Sequence, residues 1–348
     1  MNIFFDIGHP AHVHLFKNFI FYLKGKNHKV ILAANDKDIT FFLLRYYNIE
    51  SLFFEGFKKG LVKSFLKLIN RDLIYYNLYN KEKIDIAFGT SSAISHLSLL
   101  KNKKSFIFNE DDDYIIPIVA YLSYPFATKI IVPDCLKYKK WKKKRVLHNS
   151  YHELAYLHPN NFAPNPEILE KLGIKSTEKY FIIRLSALKA HHDVGAKGLT
   201  REMQKEIIEF LQNYGKVFIT AEYALDDEFK KYQFPISPEL MHDAMFYATM
   251  VIGDSQTMIA ESAVLGTPAI RYNSFVGRIS YLEELEHKYG LTYGFKPGQE
   301  GEMINKIKEL VNDNDLKAKW NERREIMLSE KCDLNQWMID YFEREINK

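Results

Sequence analysis

Residues 244 to 274 read AMFYATMVIGDSQTMIAESAVLGTPAIRYNS, and the fold follows from how this stretch is parsed. Met250-Val251-Ile252-Gly253 is a short apolar run without alternation, which suits a strand covered on both faces of a parallel sheet. Asp254, Ser255 and Thr257 then place helix-starting side chains where the strand ends, and a helix is expected from about Thr257. TPAIRYN after it reads as the next strand. Strand, helix and strand in this order form the repeating unit of a doubly wound α/β sheet.

The same grammar runs outward in both directions. On either side lie KYFIIRLS, a helix over 200–214, KVFIT, a helix over 239–249, a helix over 280–289 and LTYGF. The first half offers NIFFDI, KVILAA, SLFFEG, IDIAFG, SFIFN and KIIVPD as strands, and after the first of these Val13, Phe16, Ile20 and Leu23 share one helical face. Two doubly wound units in series are expected, with a Pro- and Asn-rich linker near 150–168 and a charged helical tail from Asp315. The domain expectation is 1–155, 165–330 and a final helix in 331–348.

The chain has 348 residues, 47% hydrophobic and 26% charged, enough apolar content for two globular cores and too much for a disordered chain. Its net charge of +4 permits an anionic ligand or membrane surface without demanding one, and is no nucleic-acid signature. Cys135 and Cys332 lie far apart without metal-ligand spacing, so neither a disulfide framework nor a zinc site is expected, which fits a reducing cytoplasm. MNIFFDIGHP lacks the features of a signal peptide, and no apolar run is long enough to span a bilayer.

In an open parallel sheet, ligands sit outside the carboxyl ends of the strands. That directs attention to DIGHPAHVHLFKN at 6–18, where Gly8 would let the backbone turn closely and Pro10 would fix the loop. His9 or His12 would serve as general base, the alternative being a helix cap, while His14 falls inside the helix. In the second half, Asp254, Ser255, Gln256 and Thr257 would converge with helix N–H groups on a phosphate. Glu261, one turn after Thr257, would accept from a ribose diol; the alternative is an ordinary N-cap with a solvated glutamate. Asn109-Glu110-Asp111-Asp112-Asp113 follows the fifth strand and suggests either a divalent cation or helix caps. Lys137 to Arg145, KYKKWKKKR, has seven basic residues in nine, with Tyr138 and Trp141 between them: a solvated face, or a contact for anionic lipid.

Several of these stretches also carry a resemblance. GHPAHVHLFKN, IIRLSALKAHHD, HELAYLHP and GDSQTMIAES together resemble the bacterial and archaeal family known as domain of unknown function 354, over nearly the whole chain. The 244–274 segment is similar to the donor-site segment of GT-B glycosyltransferases and of non-hydrolysing UDP-N-acetylglucosamine 2-epimerases, at Ser255, Gln256, Thr257, Glu261, Gly266 and Pro268. The resemblance implies two Rossmann-like domains facing each other across a cleft, with the nucleotide on the C-terminal domain, the acceptor on the N-terminal one and the last helix crossing back. It implies His9 as base and Arg184, with Ser186 and His192 in the following loop, at the diphosphate; Tyr272 and Asn273 would stack on or bond the donor. Glu110 resembles the epimerase catalytic glutamate by position, although the His-Arg-Glu-Asn and double-glycine patterns of those enzymes are missing. Adjacent His191 and His192 point different ways in most backbones, so a two-histidine metal site is not expected.

The reading expected from this is a metal-independent glycosyltransferase using a UDP-linked sugar, with no other cofactor, to extend a surface glycan. The alternatives are a sugar-nucleotide 2-epimerase and a non-catalytic nucleotide-sugar binding protein. Expected partners are the nucleotide sugar, a glycan or lipid-linked acceptor, a membrane face met through 137–145 and a second copy of the chain, but no nucleic acid. The expected location is cytoplasmic, at the inner face of the cell membrane when docked.

Overall fold

Every apolar run named above is a strand, and all strands among the described residues pair in parallel. The structure, a computed structural model, describes residues 1–36, 38–55, 61–186 and 198–347. It divides into two compact units, Met1–Tyr156 with Cys332–Lys348, and Leu157–Lys331.

Unit 1 runs β1 (Asn2–Ile7), α1 (Pro10–Gly25), β2 (Lys29–Asp36), α2 (Asp38–Tyr46), β3 (Leu52–Glu55), α3 (Leu61–Glu82), β4 (Ile86–Gly89), α4 (Ser92–Leu100), β5 (Lys104–Phe108), α5 (Pro117–Ser123), β6 (Lys129–Pro133), β7 (Arg145–His148) and α6 (Leu154–Leu157), the last reaching into unit 2. Its sheet has the order β3-β2-β1-β4-β5-β6-β7. Successive strand residues face opposite sides, so the adjacent Phe4 and Phe5 feed two different cores. Phe5 meets Phe16 and Phe19 of α1, at 5.3 and 6.0 Å between ring centroids. Phe4 meets Tyr75 and Tyr79 of α3, at 5.0 and 5.8 Å. Helices α3, α4 and α5 thus cover one face and α1 the other.

Unit 2 runs α7 (Glu167–Lys171), β8 (Lys179–Leu185), α8 (Arg201–Leu211), β9 (Gly215–Ala221), α9 (Met241–Tyr247), β10 (Met250–Gly253), α10 (Gln256–Val264), β11 (Ala269–Tyr272), α11 (Ser280–His287), β12 (Thr292–Phe295), α12 (Glu300–Val311) and α13 (Leu316–Glu330). Its sheet order is β12-β11-β10-β8-β9. The chain then returns to unit 1 as α14 (Leu334–Ile346), capped by Asp333, whose carboxylate accepts from the N–H groups of Asn335 and Gln336. Phe342 packs edge-on to Phe19 at 5.7 Å, closing the α1 side of the core.

Two expectations need correction. The linker placed at 150–168 is in its first half core: Tyr151, Leu154, Ala155 and Tyr156 are buried, because the continuous apolar run 154–157 forms a single helical turn buried on every side. Strand β7 went unread, since four residues emerging from a basic run at a sheet edge carry almost no pattern of their own.

Candidate functional site

Each unit gathers polar side chains at the carboxyl ends of its strands. In unit 1 the anchor is Asp6, fully buried at the end of β1. Its Oδ1 accepts from Arg71 Nη2 at 2.8 Å and from the Tyr75 hydroxyl at 3.0 Å, and its Oδ2 accepts from the Ser91 hydroxyl. A buried carboxylate is stable only when paired in this way. Burial, and after it the Asp6 charge, holds the Tyr75 phenol far above its ordinary range, so it stays a donor.

This anchor holds the loop into α1, where the three histidines have three different roles. His9 is the N-cap: its Nδ1 accepts from the Ala11 N–H at 3.2 Å, with Pro10 in the first helical position. Nδ1 of His12 stands 3.3 Å from the Thr90 hydroxyl, and the His9 and His12 rings are 5.9 Å apart. His14 is buried and stacks on Tyr156 at 5.3 Å. The cap has a chemical consequence. A neutral imidazole that accepts at Nδ1 carries its proton on Nε2, so His9 as it stands offers its outer nitrogen as a donor.

Gly8 was expected to be needed for a close turn, but a Cβ there would come no nearer than 3.5 Å to the Thr90 hydroxyl. The glycine the geometry requires is Gly89, opposite Asp6 in the β1–β4 register, where a Cβ would lie 2.6 Å from the Asp6 carbonyl oxygen.

The acidic run after β5 is dispersed among separate partners. Asn109 Nδ2 donates to the Asp111 carbonyl at 2.6 Å, Asp112 Oδ1 accepts the Lys137 N–H at 2.7 Å, and both Asp113 carboxylate oxygens accept from Arg145 Nη2, at 2.5 and 2.6 Å. Helix α5 starts at Pro117 with Ile116 as its N-cap, so neither Asp111 nor Asp112 caps it. Among the described residues no three His, Cys, Asp or Glu side chains are grouped to hold a metal ion. Glu110 stands apart, its Oε2 3.3 Å from Nδ1 of the buried His152. Burial, with His148 beside it, pushes the His152 imidazole down to about 3, which keeps it neutral.

In unit 2 the corresponding anchor is Asp254. Its Oδ1 accepts the Ser186 N–H at 2.6 Å, and burial raises its carboxyl to about 6 against those hydrogen bonds. Gly198 packs so closely that a Cβ would lie 2.3 Å from Asp254 Oδ2. Gly253 plays the part of Gly89: a Cβ there would lie 2.5 Å from the Arg184 carbonyl oxygen across the β8–β10 register. Asp254 and Ser186, expected at a phosphate, therefore bond each other and tie strand ends together.

Beyond this strut, Ser255 caps α10 by accepting the Met258 N–H at 3.4 Å. Gln256 and Thr257 lie half-buried in the first turn, and their side chains make no hydrogen bond among the described residues. Glu261 is buried rather than solvated, 3.1 Å from Nε2 of His242 on α9. Arg184 donates to the Thr220 hydroxyl at 3.1 Å and to Glu222 Oε1 at 2.6 Å. His192, with His191 and Asp193, lies outside the described residues.

Tyr272 and Asn273 have partners within unit 2. The Tyr272 hydroxyl donates to Glu300 Oε1, and burial, then that carboxylate, raises the phenol to about 12. Asn273 is fully buried, donating to the Asp254 carbonyl at 3.0 Å and accepting the Phe275 N–H at 2.9 Å. The Tyr272 hydroxyl ties the end of β11 to the start of α12, and Asn273 ties the loop after β11 to the end of β10.

Sequence reasoning missed Asp6, Arg71, Ser91, Gly89 and His242. Only Asp6 left a signal, a lone charge in an otherwise apolar strand; its partners come from 65 to 85 residues away.

Two doubly wound parallel-sheet units in one chain match the fold of GT-B proteins. The chain belongs to the family described as Protein of unknown function (DUF354), whose model matches residues 1–340. No curated protein matches its sequence. Among solved structures it resembles MnaA from S. aureus in complex with UDP, at TM-score 0.71 and 12% identity, covering 99% of this chain and 97% of the other. It resembles the UDP-GlcNAc 2-epimerase from Neisseria meningitidis bound to UDP-GlcNAc, at TM-score 0.67 and 10% identity, covering both chains fully. Spinosyn forosaminyltransferase SpnP is similar at TM-score 0.68 and 11% identity, again over both full chains. At such identities the likeness is one of fold.

Proposed function

We propose that this protein binds a UDP-linked sugar and transfers the sugar to a hydroxyl of a surface glycan or its lipid-linked precursor. The observation that carries the reading is the Ser255-capped first turn of α10, which leaves the strand end at Gly253 with Gln256 and Thr257 uncommitted. It sits in a chain that aligns end to end with proteins named for UDP, UDP-GlcNAc or glycosyl transfer. Helix amide groups favour an anion there, and Arg184, exchanging Glu222 for the ligand, adds bidentate charge. Together they would offset the charge that develops on the departing diphosphate, and the scheme needs no metal.

In unit 1 the acceptor hydroxyl would lose its proton to an imidazole while its oxygen bonds the anomeric carbon and the diphosphate leaves with the bonding pair. His9 can take that proton only in the tautomer that gives up the Ala11 cap; His12, beside Thr90, is the adjacent candidate.

A second reading, 2-epimerisation, is favoured by Glu110 beside His152 at the end of β5. One assay series separates the readings. With donor alone in deuterated water, an epimerase incorporates deuterium at C2 of the sugar; a transferase incorporates none and releases UDP only when acceptor is added. A non-catalytic binder shows a thermal shift and neither reaction. At 100-fold saturation the shift should correspond to about 2.7 kcal/mol. No shift with any member of a panel of nucleotides and nucleotide sugars would end the whole reading.

A further inference from the structure

The outer side of the α3-α4-α5 layer is unusually apolar. Leu73 on α3, Leu99 and Leu100 on α4, and Ile118, Tyr121 and Leu122 on α5 all face solvent, Leu100 at 71% and Ile118 at 57% exposure. Unit 2, of similar length, exposes only Tyr214, Tyr223 and Ile326 to a like degree among its described residues. His96 joins the three helices, with Nδ1 3.0 Å from Asp72 Oδ2 on α3 and Nε2 2.7 Å from the Leu122 carbonyl oxygen on α5. The exposed residues therefore belong to one surface.

The basic run meets this surface, though not as a uniform patch. Arg145 is buried against Asp113, and Lys144 donates to the Pro125 and Ala127 carbonyls, at 2.5 and 2.8 Å. Trp141 packs on Tyr121 and Tyr124, each at 5.4 Å. These contacts fasten the run beside α5 and leave Lys139, Lys140, Lys142 and Lys143 exposed. Lys140 lies over the Tyr121 ring at 4.7 Å. Between Asp113 and Glu153 the chain carries a single acidic residue, Asp134.

We propose that this face docks the protein on an anionic lipid bilayer, the side chains of α4 and α5 entering the headgroup region and the lysines meeting lipid phosphates. Charge complementarity selects this occupant, since apolar side chains flanked by lysines match a surface whose acyl region lies beneath negative headgroups. A two-fold dimer through the same face would set like lysines against each other. No helix among the described residues is long and apolar enough to cross a membrane, so the contact is peripheral. It needs no nucleotide and stands or falls apart from the sugar-transfer reading.

The test is sedimentation of the full chain with vesicles of phosphatidylcholine alone and of phosphatidylcholine with phosphatidylglycerol, at low and high salt. Binding is expected to the mixed vesicles, at least tenfold weaker to the neutral ones and reduced by salt. Each lysine removed should weaken partition about fivefold, so Lys142→Gln with Lys143→Gln should lose more than tenfold. Leu100→Asp with Ile118→Asp should abolish sedimentation at an unchanged melting temperature, because both positions are open to solvent. Equal binding to both vesicle types, no binding by the native chain, or native binding by either folded double variant would overturn the proposal. So would concentration-dependent dimerisation that Ile118→Asp breaks, which would assign the face to a second copy.

Discussion

At the scale of the residue, His9 shows how one side chain can hold two roles that exclude each other. Its lone pair at Nδ1 caps α1, and the same ring can act as a base only after a change of tautomer. His9→Asn separates them, because asparagine caps helices well and cannot take a proton near neutral pH. If His9 is the base, the Asn variant melts like the native protein and loses turnover, while His9→Ala loses turnover together with about 1 kcal/mol of stability. Native turnover in His9→Asn would move the base elsewhere, first to His12. Glu261 teaches the complementary lesson. Its spacing from Thr257 was legible in the sequence, but its burial beside His242 was not, because α9 contributes that partner from 19 residues upstream.

At the scale of the element, one of the two strands flanking the first strand of each unit, β4 and β10, ends in a glycine. Gly89 and Gly253 let a neighbouring backbone approach where a Cβ would overlap a carbonyl oxygen, the distances being 2.6 and 2.5 Å. Nothing around Gly8 makes that demand. Gly89→Ala should therefore cost roughly 3 kcal/mol and lower the melting temperature of unit 1 by several degrees, whereas Gly8→Ala should stay within about 0.5 kcal/mol of native. Equal melting temperatures for the two variants would show that the β1–β4 approach relaxes freely. The sequence displays all of these glycines alike; which of them is needed depends on strand register, and register joins residues 83 positions apart in Asp6 and Gly89.

At the scale of the whole molecule, unit 1 depends on the end of the chain. Helix α14 buries Leu334, Met338 and Phe342 against the α1 side of the core, worth roughly 5–8 kcal/mol in apolar area. Removing residues 332–348 should lower the unit 1 transition in calorimetry and leave that of unit 2 in place. An unmoved unit 1 transition would show that α14 adds little. The two units should also answer acid in opposite senses. His152 is held well below its unfolded value of 6.5, so the unfolded chain binds the extra proton and unit 1 loses stability as pH falls below 6.5, by about 2 kcal/mol at pH 5. Asp254 is held above its unfolded value of 3.8, so the folded chain binds the extra proton and this group adds stability to unit 2 as pH falls through about 6. Calorimetry at pH 7 and pH 5 should show the unit 1 transition moving down relative to that of unit 2; transitions that move together would refute the assignment.

What the sequence determined by itself was local. Short unalternating apolar runs and helical spacing specify parallel strands and covering helices because each period is read within a dozen residues. The cap at Ser255 is visible for the same reason. The tertiary structure alone decided which polar residues are occupied. Asp6 with Arg71, Glu261 with His242, Tyr272 with Glu300 and Asp254 with Ser186 are each joined across separate elements. A buried polar group must find a partner wherever the fold brings one, and that partner's distance along the chain leaves no pattern to read.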